Sequence, residues 1–362
     1  MSSKPYCRSY TVASLEEYLE VIGLLNDSMV KSSQKLRYSP IWYRGHERQE
    51  YTLLPTLLRE SEGMGDSYGR DHLREDLRYQ HFRSKCNQLV DTAPESKIEW
   101  QEILQHHLGT TRLMDWSESA ISALMFALEA FIDPRDNKEL EYRRLTMTPT
   151  VWVLAPLRLN RHIYRILKDN RGLVNAAVQD IEPEIVRKRQ LVNQIYAQLQ
   201  TGQDTYFENH DKMSMNGIFC LSAIESERQS RGDRMKYLLR NEEFNPFFYL
   251  LLRYYNDGLP LPMETLPPLA IVHPYHSRRI QSQHGVFTVM PHYKIGETVV
   301  GSIYDKRPME RQMQIRDCLC KIKIARPARV AKDLLTIGER RVNLYPELDN
   351  YVRDMESKRW HV

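Results

Sequence analysis

The sequence predicts an α+β fold in which helices flank a mixed, mainly antiparallel central sheet. The chain has 362 residues, of which 41% are hydrophobic and 10% aromatic, so it can bury a substantial core. Apolar runs with turn-forming residues at their ends are typical of buried strands. Four such runs lie at 148–156, 268–274, 285–291 and 318–324. Apolar residues at helical spacing elsewhere in the chain predict the flanking helices.

The N-terminal part of the chain begins with a predicted amphipathic helix at 15–29. Ser14 is its expected N-cap, because Glu17 follows three residues later as in a capping box. We interpret residues 1–36 as a helical brace for the first strand, at 41–46. That strand turns from apolar to polar and carries an arginine near its exit, which is a layout typical of ligand binding.

Two further helices are predicted before the centre of the chain. The first, at 70–90, alternates charges with apolar residues, so Leu73, Leu77 and Phe82 are expected to form its buried stripe. Its charges are then expected to lie on a solvated face. A shorter helix is predicted at 98–105.

The remaining elements complete one large domain in this interpretation. Ser117 is the expected N-cap of a central helix, and lysines alternating with apolar residues at 318–324 predict an edge strand. A mainly helical insert is predicted at about 160–262. The domain is expected to span 37–362, insert included.

Charge and cysteine content restrict the class of protein only moderately. The formal net charge of +4 permits an anionic partner, such as a nucleic acid or a nucleotide, without requiring one. Five scattered cysteines do not suggest a disulfide framework, and reduced thiols fit the cytosol. The N-terminus has no apolar segment typical of a signal peptide, and no apolar run is long enough to span a membrane. We therefore expect a cytoplasmic protein with no membrane partner.

The most informative segment of the chain is 105–116, which concentrates polar chemistry just before an apolar helix. Burying many polar groups without partners would cost several kcal/mol, so they are expected to bind each other or a ligand. The segment carries two imidazoles, two hydroxyls, a guanidinium, a carboxylate and an indole: His106, His107, Thr110, Thr111, Arg112, Asp115 and Trp116.

Simpler structural roles remain open for several of these residues. Arg112 and Asp115 lie three residues apart, so on a helical turn they would form a structural ion pair as readily as a catalytic one. Gly45, Gly109 and Gly285 lack the spacing of a glycine-rich phosphate loop, which favours turns.

Several segments together resemble the motifs of the FRG domain. They are Trp-Tyr-Arg-Gly at 42–45, Leu-Pro-Thr-Leu-Leu-Arg at 54–59, the polar segment 105–116, the Gln-His-Gly-containing stretch 280–287 and the closing motif 344–349. Members of this family occur in bacterial and phage genomes, and some look like effectors of anti-phage or toxin–antitoxin systems. The resemblance therefore implies an effector, for which an antitoxin or a chaperone is a candidate partner.

The segment Tyr43-Arg44-Gly45 is also similar to the first motif of arginine-type ADP-ribosyltransferases. In that family an arginine on the first core strand binds the phosphates of NAD, which suits the bidentate donors of a guanidinium. The resemblance implies an ADP-ribosyltransferase-like core with NAD as substrate. The late motif departs from the family, because Gln283 stands where a glutamate is expected. Asp115 and Glu102 are alternative sources of the carboxylate.

This resemblance implies a set of site residues and no metal. Arg44 and Arg112 would hold phosphates, and Thr111 would place the nicotinamide ribose. Asp115 would stabilise developing positive charge or orient Arg112, and His107 would activate the acceptor, for which RNA is favoured over protein. The candidate catalytic residues are Arg44, His107, Thr111, Asp115 and Gln283. The candidate NAD-binding residues are Tyr43, Arg44, Gly45, Arg59, His106, Thr111 and Arg112.

Two other function classes remain open from the sequence. In a non-catalytic module for nucleic acid or another partner, Arg44, Arg59 and Arg112 would bind phosphates, with a steep dependence on salt. A metal-dependent nuclease would use the histidines, but none has the spacing of a specific metal motif.

Overall fold

The computed structural model describes residues 8–30, 41–60, 70–86, 97–107, 109–133, 135, 137–170, 266–271, 278–295, 298–301 and 308–356. Most of the predicted helical insert at 160–262 lies outside these ranges. The described residues show an α+β fold, as predicted from the sequence.

A seven-stranded sheet forms the centre of the molecule, with strand order β1-β9-β4-β2-β3-β6-β5. β1 and β9 pair in parallel and every other neighbouring pair in this sheet is antiparallel. A separate antiparallel pair joins β7 to β8. The strands are β1 (Arg8–Val12), β2 (Trp42–His46), β3 (Leu113–Ser117), β4 (Thr150–Leu154), β5 (Leu269–Ile271), β6 (Gly285–Val289), β7 (His292–Ile295), β8 (Thr298–Gly301) and β9 (Leu319–Ile324).

Helices cover both faces of the sheet, and two short 3₁₀ helices, Met309–Arg311 and Met313–Cys318, precede β9. The described α-helices are α1 (Leu15–Val30), α2 (Thr56–Glu60), α3 (Arg70–Cys86), α4 (Lys97–His106), α5 (Ala120–Ala127), α6 (Glu129–Ile132), α7 (Lys138–Thr146), α8 (Pro156–Asp169), α9 (Arg278–Ser282), α10 (Pro327–Thr336), α11 (Arg341–Leu344) and α12 (Leu348–Glu356).

The core is divided into two layers by the sheet, because successive strand residues point to opposite faces. On one face, Tyr43 and neighbouring strand residues pack against α1, α5 and α10. On the other face, Trp42, Trp116 and Trp152 pack with Leu159 of α8 and with residues of the 3₁₀ helices.

The contact between α5 and β2 is unusually close and depends on Gly45. A Cβ atom at this position would lie 2.0 Å from the carbonyl oxygen of Ala123 and 2.6 Å from the main-chain nitrogen of Ala127. Both are backbone atoms of α5, so they cannot rotate away. Gly45 therefore permits the helix to pack directly on the strand, instead of forming the turn that the sequence suggested.

The N-terminal region combines a confirmed helix with a strand that the sequence analysis missed. The hydroxyl of Ser14 accepts a hydrogen bond from the main-chain N–H of Glu17 (3.2 Å), as expected for the N-cap of α1. β1 precedes this helix and pairs along its whole length with β9. β9 is therefore an internal strand, and its prediction as an edge strand was wrong.

The helix α3 is present, but Leu77 does not belong to its buried face as predicted; Phe82 is half-buried, and the side chain of Leu73 lies outside the described residues. The side chain of Leu77 is 59% exposed, whereas Tyr79 and Glu75 are buried. The charges of this helix are therefore not all at the surface, because Glu75 has a buried partner.

The region after the polar segment also differs from the prediction. Residues 113–117 form the strand β3, so Arg112 and Asp115 do not share a helical turn. Ser119, not Ser117, caps α5, because its side chain accepts a hydrogen bond from the N–H of Ser122. The hydroxyl of Ser117 instead donates to the carbonyl of Gln283 and joins β3 to the segment before β6.

Candidate functional site

A cleft opens where β2 and β3 separate. These neighbouring strands are in register at Tyr43 and Ser117, and the described pairing extends no further along them. The cleft has a volume of about 240 Å³ and lies on the side of the sheet that α5 covers. Its walls come from β2, α4, β3, α5, α9 and β6. They are formed by Tyr43, Arg44, Gly45, Gln105, Asp115, Trp116, Ser117, Phe126, Arg279, Gln283, Gly285 and Phe287.

Arg44 bridges the gap between the two strands. Its Nη1 atom donates a hydrogen bond to the main-chain carbonyl of Asp115, so the guanidinium stands where a main-chain donor would continue the sheet. The same atom lies 3.6 Å from Oδ2 of the Asp115 carboxylate. Burial lowers the pKa of Arg44 and the Asp115 carboxylate opposes that shift. An arginine remains charged at neutral pH in any case, so the cleft contains a fixed cation.

His46 orients the guanidinium of Arg44 through a hydrogen bond. The Nε–H of Arg44 donates to Nε2 of His46 at 3.1 Å, which requires an unprotonated nitrogen as acceptor. Burial, followed by the charge of Arg44, lowers the pKa of His46 well below its ordinary value of 6.5. His46 is therefore neutral at physiological pH and fixes the guanidinium plane.

Asp115 supplies a carboxylate on the wall opposite Arg44. Its side chain is 48% exposed, and Oδ2 accepts a hydrogen bond from the Nε2 amide of Gln105 at 3.2 Å. The amide of Gln105 also accepts a hydrogen bond from the hydroxyl of Thr111. The carboxylate is thus held in place by two neighbours and still reaches solvent in the cleft.

The far wall of the cleft is built from the C-terminal part of the chain. Gln283 donates from Nε2 to the carbonyl of Leu344 at 2.9 Å. The next residue, His284, has a φ of 49°, a left-handed conformation that is uncommon outside glycine. This tight turn before β6 is fixed to β3 by a hydrogen bond from the N–H of Glu118 to the carbonyl of His284 (3.0 Å).

Five of the residues predicted from the sequence line the cleft together: Tyr43, Arg44, Gly45, Asp115 and Gln283. The structure brings them together from two strands and the turn before β6. Their predicted roles in catalysis or NAD binding remain predictions.

Thr111 and Arg112 lie next to the cleft but do not line it. Arg112 is 1% exposed and forms a buried ion pair with Glu75, with 2.6 Å between Nε and Oε2. Its Nη1 also donates to the carbonyl of Met290, just after β6. Thr111 is fully buried, and its hydroxyl accepts a hydrogen bond from the N–H of Leu113. Both residues therefore have structural partners within the protein.

Arg59, His106 and His107 are not among the residues that line the cleft, although the charge of Arg59 contributes to lowering the pKa of Arg44. Arg59 is on α2, where its guanidinium donates to the hydroxyl of Thr56. His107 follows the end of α4 and is exposed. The side chain of His106 lies outside the described residues.

Three functional or supporting residues were not selected from the sequence. Gln105 lies in the polar segment, so its position there was the available signal. Arg279 and Glu75 gave no such signal, because each is one of several charged residues on a helix. Only the packing of α9 and α3 distinguishes them from neighbours that face solvent.

Outside the cleft, one group among the described residues has the composition of a metal site. His162, Asp317 and Cys318 lie together, with 3.0 Å between His162 Nε2 and Asp317 Oδ1. None of the three lines the cleft.

Within the described ranges, no helix has both the length and the apolar composition needed to cross a membrane.

Comparison with known proteins yields one family. Residues 39–136 match the FRG domain, and they include β2, β3, α5 and most of the residues that line the cleft. No curated protein and no solved structure matches the chain. The chain therefore contains a segment, residues 39–136, that matches the FRG domain.

Proposed function

We propose that this protein is an FRG-type effector that binds NAD in the cleft and transfers ADP-ribose to a nucleic acid, RNA in preference, or to a protein. The observation that carries the proposal is the pairing of Arg44 with Asp115 across the split between β2 and β3, at 3.6 Å. A fixed cation and a half-exposed carboxylate in one cleft are what this reaction requires. The proposal includes an ADP-ribosyltransferase-like core.

Arg44 would bind the phosphates of NAD. A guanidinium presents parallel N–H donors that match phosphate oxygens, and such charge-assisted hydrogen bonds are stronger than neutral ones. Because His46 and the Asp115 carbonyl already hold the side chain, little conformational freedom remains to be lost on binding. The arginine is thus prepared for an anion.

Asp115 would stabilise the positive charge that develops on the ribose. In the reaction, the bond from ribose C1′ to the nicotinamide nitrogen breaks and nicotinamide leaves with the bonding electrons. An acceptor oxygen or nitrogen then bonds to C1′, and its proton is released to a base or to water. A carboxylate near C1′ lowers the energy of the cationic transition state because opposite charges attract most strongly where water is excluded.

The size of the cleft limits how NAD would bind. Its volume of about 240 Å³ is smaller than the roughly 300–1,000 Å³ of sites that enclose a drug-sized ligand. Part of the dinucleotide would therefore remain outside. We place the phosphates and the nicotinamide ribose inside, near Arg44 and Asp115, and the adenosine towards solvent.

A transfer assay with labelled NAD tests the proposal directly. The full chain is incubated with separate pools of RNA, single-stranded DNA and cell-extract protein, and both label transfer and nicotinamide release are measured. The variants are Arg44→Gln and Asp115→Asn, with the exposed residues Arg278 and Asp349 changed in the same way as controls. Circular dichroism checks that each variant is folded.

We expect label in one pool, lost in both cleft variants and retained in both controls. Neither transfer nor nicotinamide release in any pool would overturn the proposal. Binding of RNA without NAD turnover would instead favour the non-catalytic module, and activity that requires a divalent ion would favour the nuclease.

A further inference from the structure

We propose that Arg279 is a second anion-binding residue and that the cleft takes a diphosphate between Arg44 and Arg279. This inference rests on the proposed function, because it specifies which part of NAD the cleft recognises. It also assigns a role to Tyr345, in the C-terminal part of the chain, as the residue that positions Arg279.

Arg279 lines the cleft from α9, whereas Arg44 lines it from β2. Its Cζ atom lies 4.6 Å from the centre of the Tyr345 ring, which is a cation–π contact. Such stacking occupies the flat face of the guanidinium and leaves its edge, where the N–H donors lie, for hydrogen bonds. Among the described residues, no carboxylate lies within ion-pair distance of Arg279.

Tyr345 is itself firmly held. Its ring contacts two arginines, with Arg341 at 4.7 Å as the second, and Phe126 meets it edge-on with 6.1 Å between ring centres. Burial raises the pKa of Tyr345 to about 12, so the ring remains a neutral phenol. A neutral and immobile ring is a suitable platform for a guanidinium.

The two arginines that stack on Tyr345 differ in their charge balance. Arg341 is neutralised by Glu129 at 2.6 Å and by Asp133 at 3.1 Å. Arg279 faces the cleft without such a partner in the described structure. The positive charge of the stack is therefore available on the cleft side, where an anionic ligand can reach it.

The position of α9 is fixed by the segment that also provides Tyr345. The carbonyl of Leu344 accepts hydrogen bonds from Gln283 Nε2 (2.9 Å) and Ser282 Oγ (3.3 Å), at the end of α9. The hydroxyl of Ser117 donates to the carbonyl of Gln283 at 2.7 Å. α9 is thus joined both to β3 and to the C-terminal segment, so Arg279 is presented by a rigid support.

Two arginines in one cleft favour a ligand with two adjacent phosphates. Arg44 comes from β2 and Arg279 from α9, and both side chains line the cleft. Two long side chains that reach the cleft from different elements can each contact one phosphate of a diphosphate. The Asp115 carboxylate leaves a net positive charge in the cleft, which suits a dianionic group.

Calorimetric titration of the full chain with ADP, AMP and inorganic pyrophosphate tests this inference. The variants are Arg279→Gln, Tyr345→Leu and Tyr345→Phe. Arg278→Gln is the matched control, because it removes the same charge from the same helix at an exposed residue that does not line the cleft. Thermal melts establish that each variant is folded.

We expect ADP and pyrophosphate to bind more tightly than AMP. Arg279→Gln should weaken ADP about tenfold to hundredfold, the usual effect of losing hydrogen bonds to a charged group, and should leave AMP nearly unchanged. Tyr345→Leu should weaken ADP by a smaller factor, and Tyr345→Phe should not, because it keeps the ring. Arg278→Gln should have no effect.

Equal affinities for ADP and AMP, or equal effects of the Arg278 and Arg279 variants, would overturn the inference. The transfer assay separates this failure from failure of the proposed function. If NAD is turned over and Arg279→Gln leaves KM for NAD unchanged, only the inference fails. If ADP binding depends on Arg279 but no transfer occurs, the diphosphate site stands and the proposed reaction fails.

Discussion

Arg112 and Glu75 show how a buried pair can resemble a catalytic pair in sequence. Arg112 lies in the most polar segment of the chain, and its sequence neighbour Asp115 is an obvious partner. The structure pairs Arg112 with Glu75 instead, 37 positions earlier, and Asp115 with Arg44. Sequence spacing predicted that these charges would be paired. It could not predict the partners, because the choice depends on how α3 packs beside α4 and the segment before β3.

We expect loss of either member of this pair to lower the stability of the fold, because neither side chain lines the cleft. Glu75→Ala or Arg112→Ala would leave a charge buried without its partner, which typically costs about 3–5 kcal/mol of unfolding free energy. Chemical denaturation measures the change. Glu20→Ala, at an exposed position on α1, is the control and should shift the unfolding free energy by less than about 0.5 kcal/mol.

The second residue-scale prediction concerns His46 and pH. Its pKa is lowered in the folded protein, so below an ordinary value of 6.5 the unfolded chain takes up the proton first. The stability contributed by neutral His46 is therefore complete above pH 6.5 and decreases as the pH falls towards the folded pKa. Each unit by which the pKa is lowered is worth about 1.4 kcal/mol.

Thermal melts across this pH range test the effect of His46. His46→Gln keeps an acceptor for Arg44 but does not titrate, so its melting temperature should fall less steeply below pH 6.5 than that of the unchanged protein. Parallel curves for the two proteins would show that protonation of His46 does not cause the loss of stability at low pH.

At the scale of elements, the sequence predicted the strands that are continuous apolar runs and missed β1 and β3. Apolar runs at 148–156 and 285–291 correspond to β4 and β6, because buried strands need continuous apolar residues. β1 was missed because its side chains are mostly exposed and only Val12 is fully buried. Without β1, the alternating lysines of β9 were consistent with an edge strand. The strand that covers β9 could be known only from the fold.

Two glycines, one packed against α5 and one on the open face of α1, should respond to alanine in opposite ways. Gly45→Ala would place a methyl group against the α5 backbone, so we expect a loss of about 1–3 kcal/mol of unfolding free energy, or more. At Gly23, within α1, an added methyl group would have no atom within 4 Å apart from its chain neighbours and the backbone of its own helix. Gly23→Ala should therefore stabilise the protein by about 0.5–1 kcal/mol, because alanine favours a helix over glycine.

Chemical denaturation of both glycine variants provides an internal comparison. The same substitution should change stability in opposite directions. A neutral effect at Gly45 would mean that α5 can move away from the sheet at little cost.

For the whole molecule, the matched FRG domain is smaller than the structural unit that contains it. β2 and β3 fall within 39–136, but their outer neighbours β4 and β6 do not. The cleft likewise needs Arg279 and Gln283. The sequence motifs at 42–45, 54–59 and 105–116 lie within the matched FRG domain, whereas those at 280–287 and 344–349 lie outside it. They could not indicate that these segments meet at a split between two strands, because that depends on strand order.

We therefore expect a fragment limited to 39–136 not to fold alone. It would expose both outer edges of the β2–β3 pair and lose the strands that complete both core layers. Circular dichroism should show no cooperative thermal transition for the fragment, in contrast to the full chain. A cooperative transition of the fragment would show that the matched domain is an independent folding unit.

The distance along the chain between the two walls of the cleft also affects biosynthesis. Tyr43 is made well before Tyr345, whose ring contacts Arg279. Because chains emerge from the ribosome N-terminus first, a growing polypeptide has Arg44 long before it has the opposite wall. A nascent chain would thus lack a complete cleft until the segment that carries Tyr345 has been synthesised.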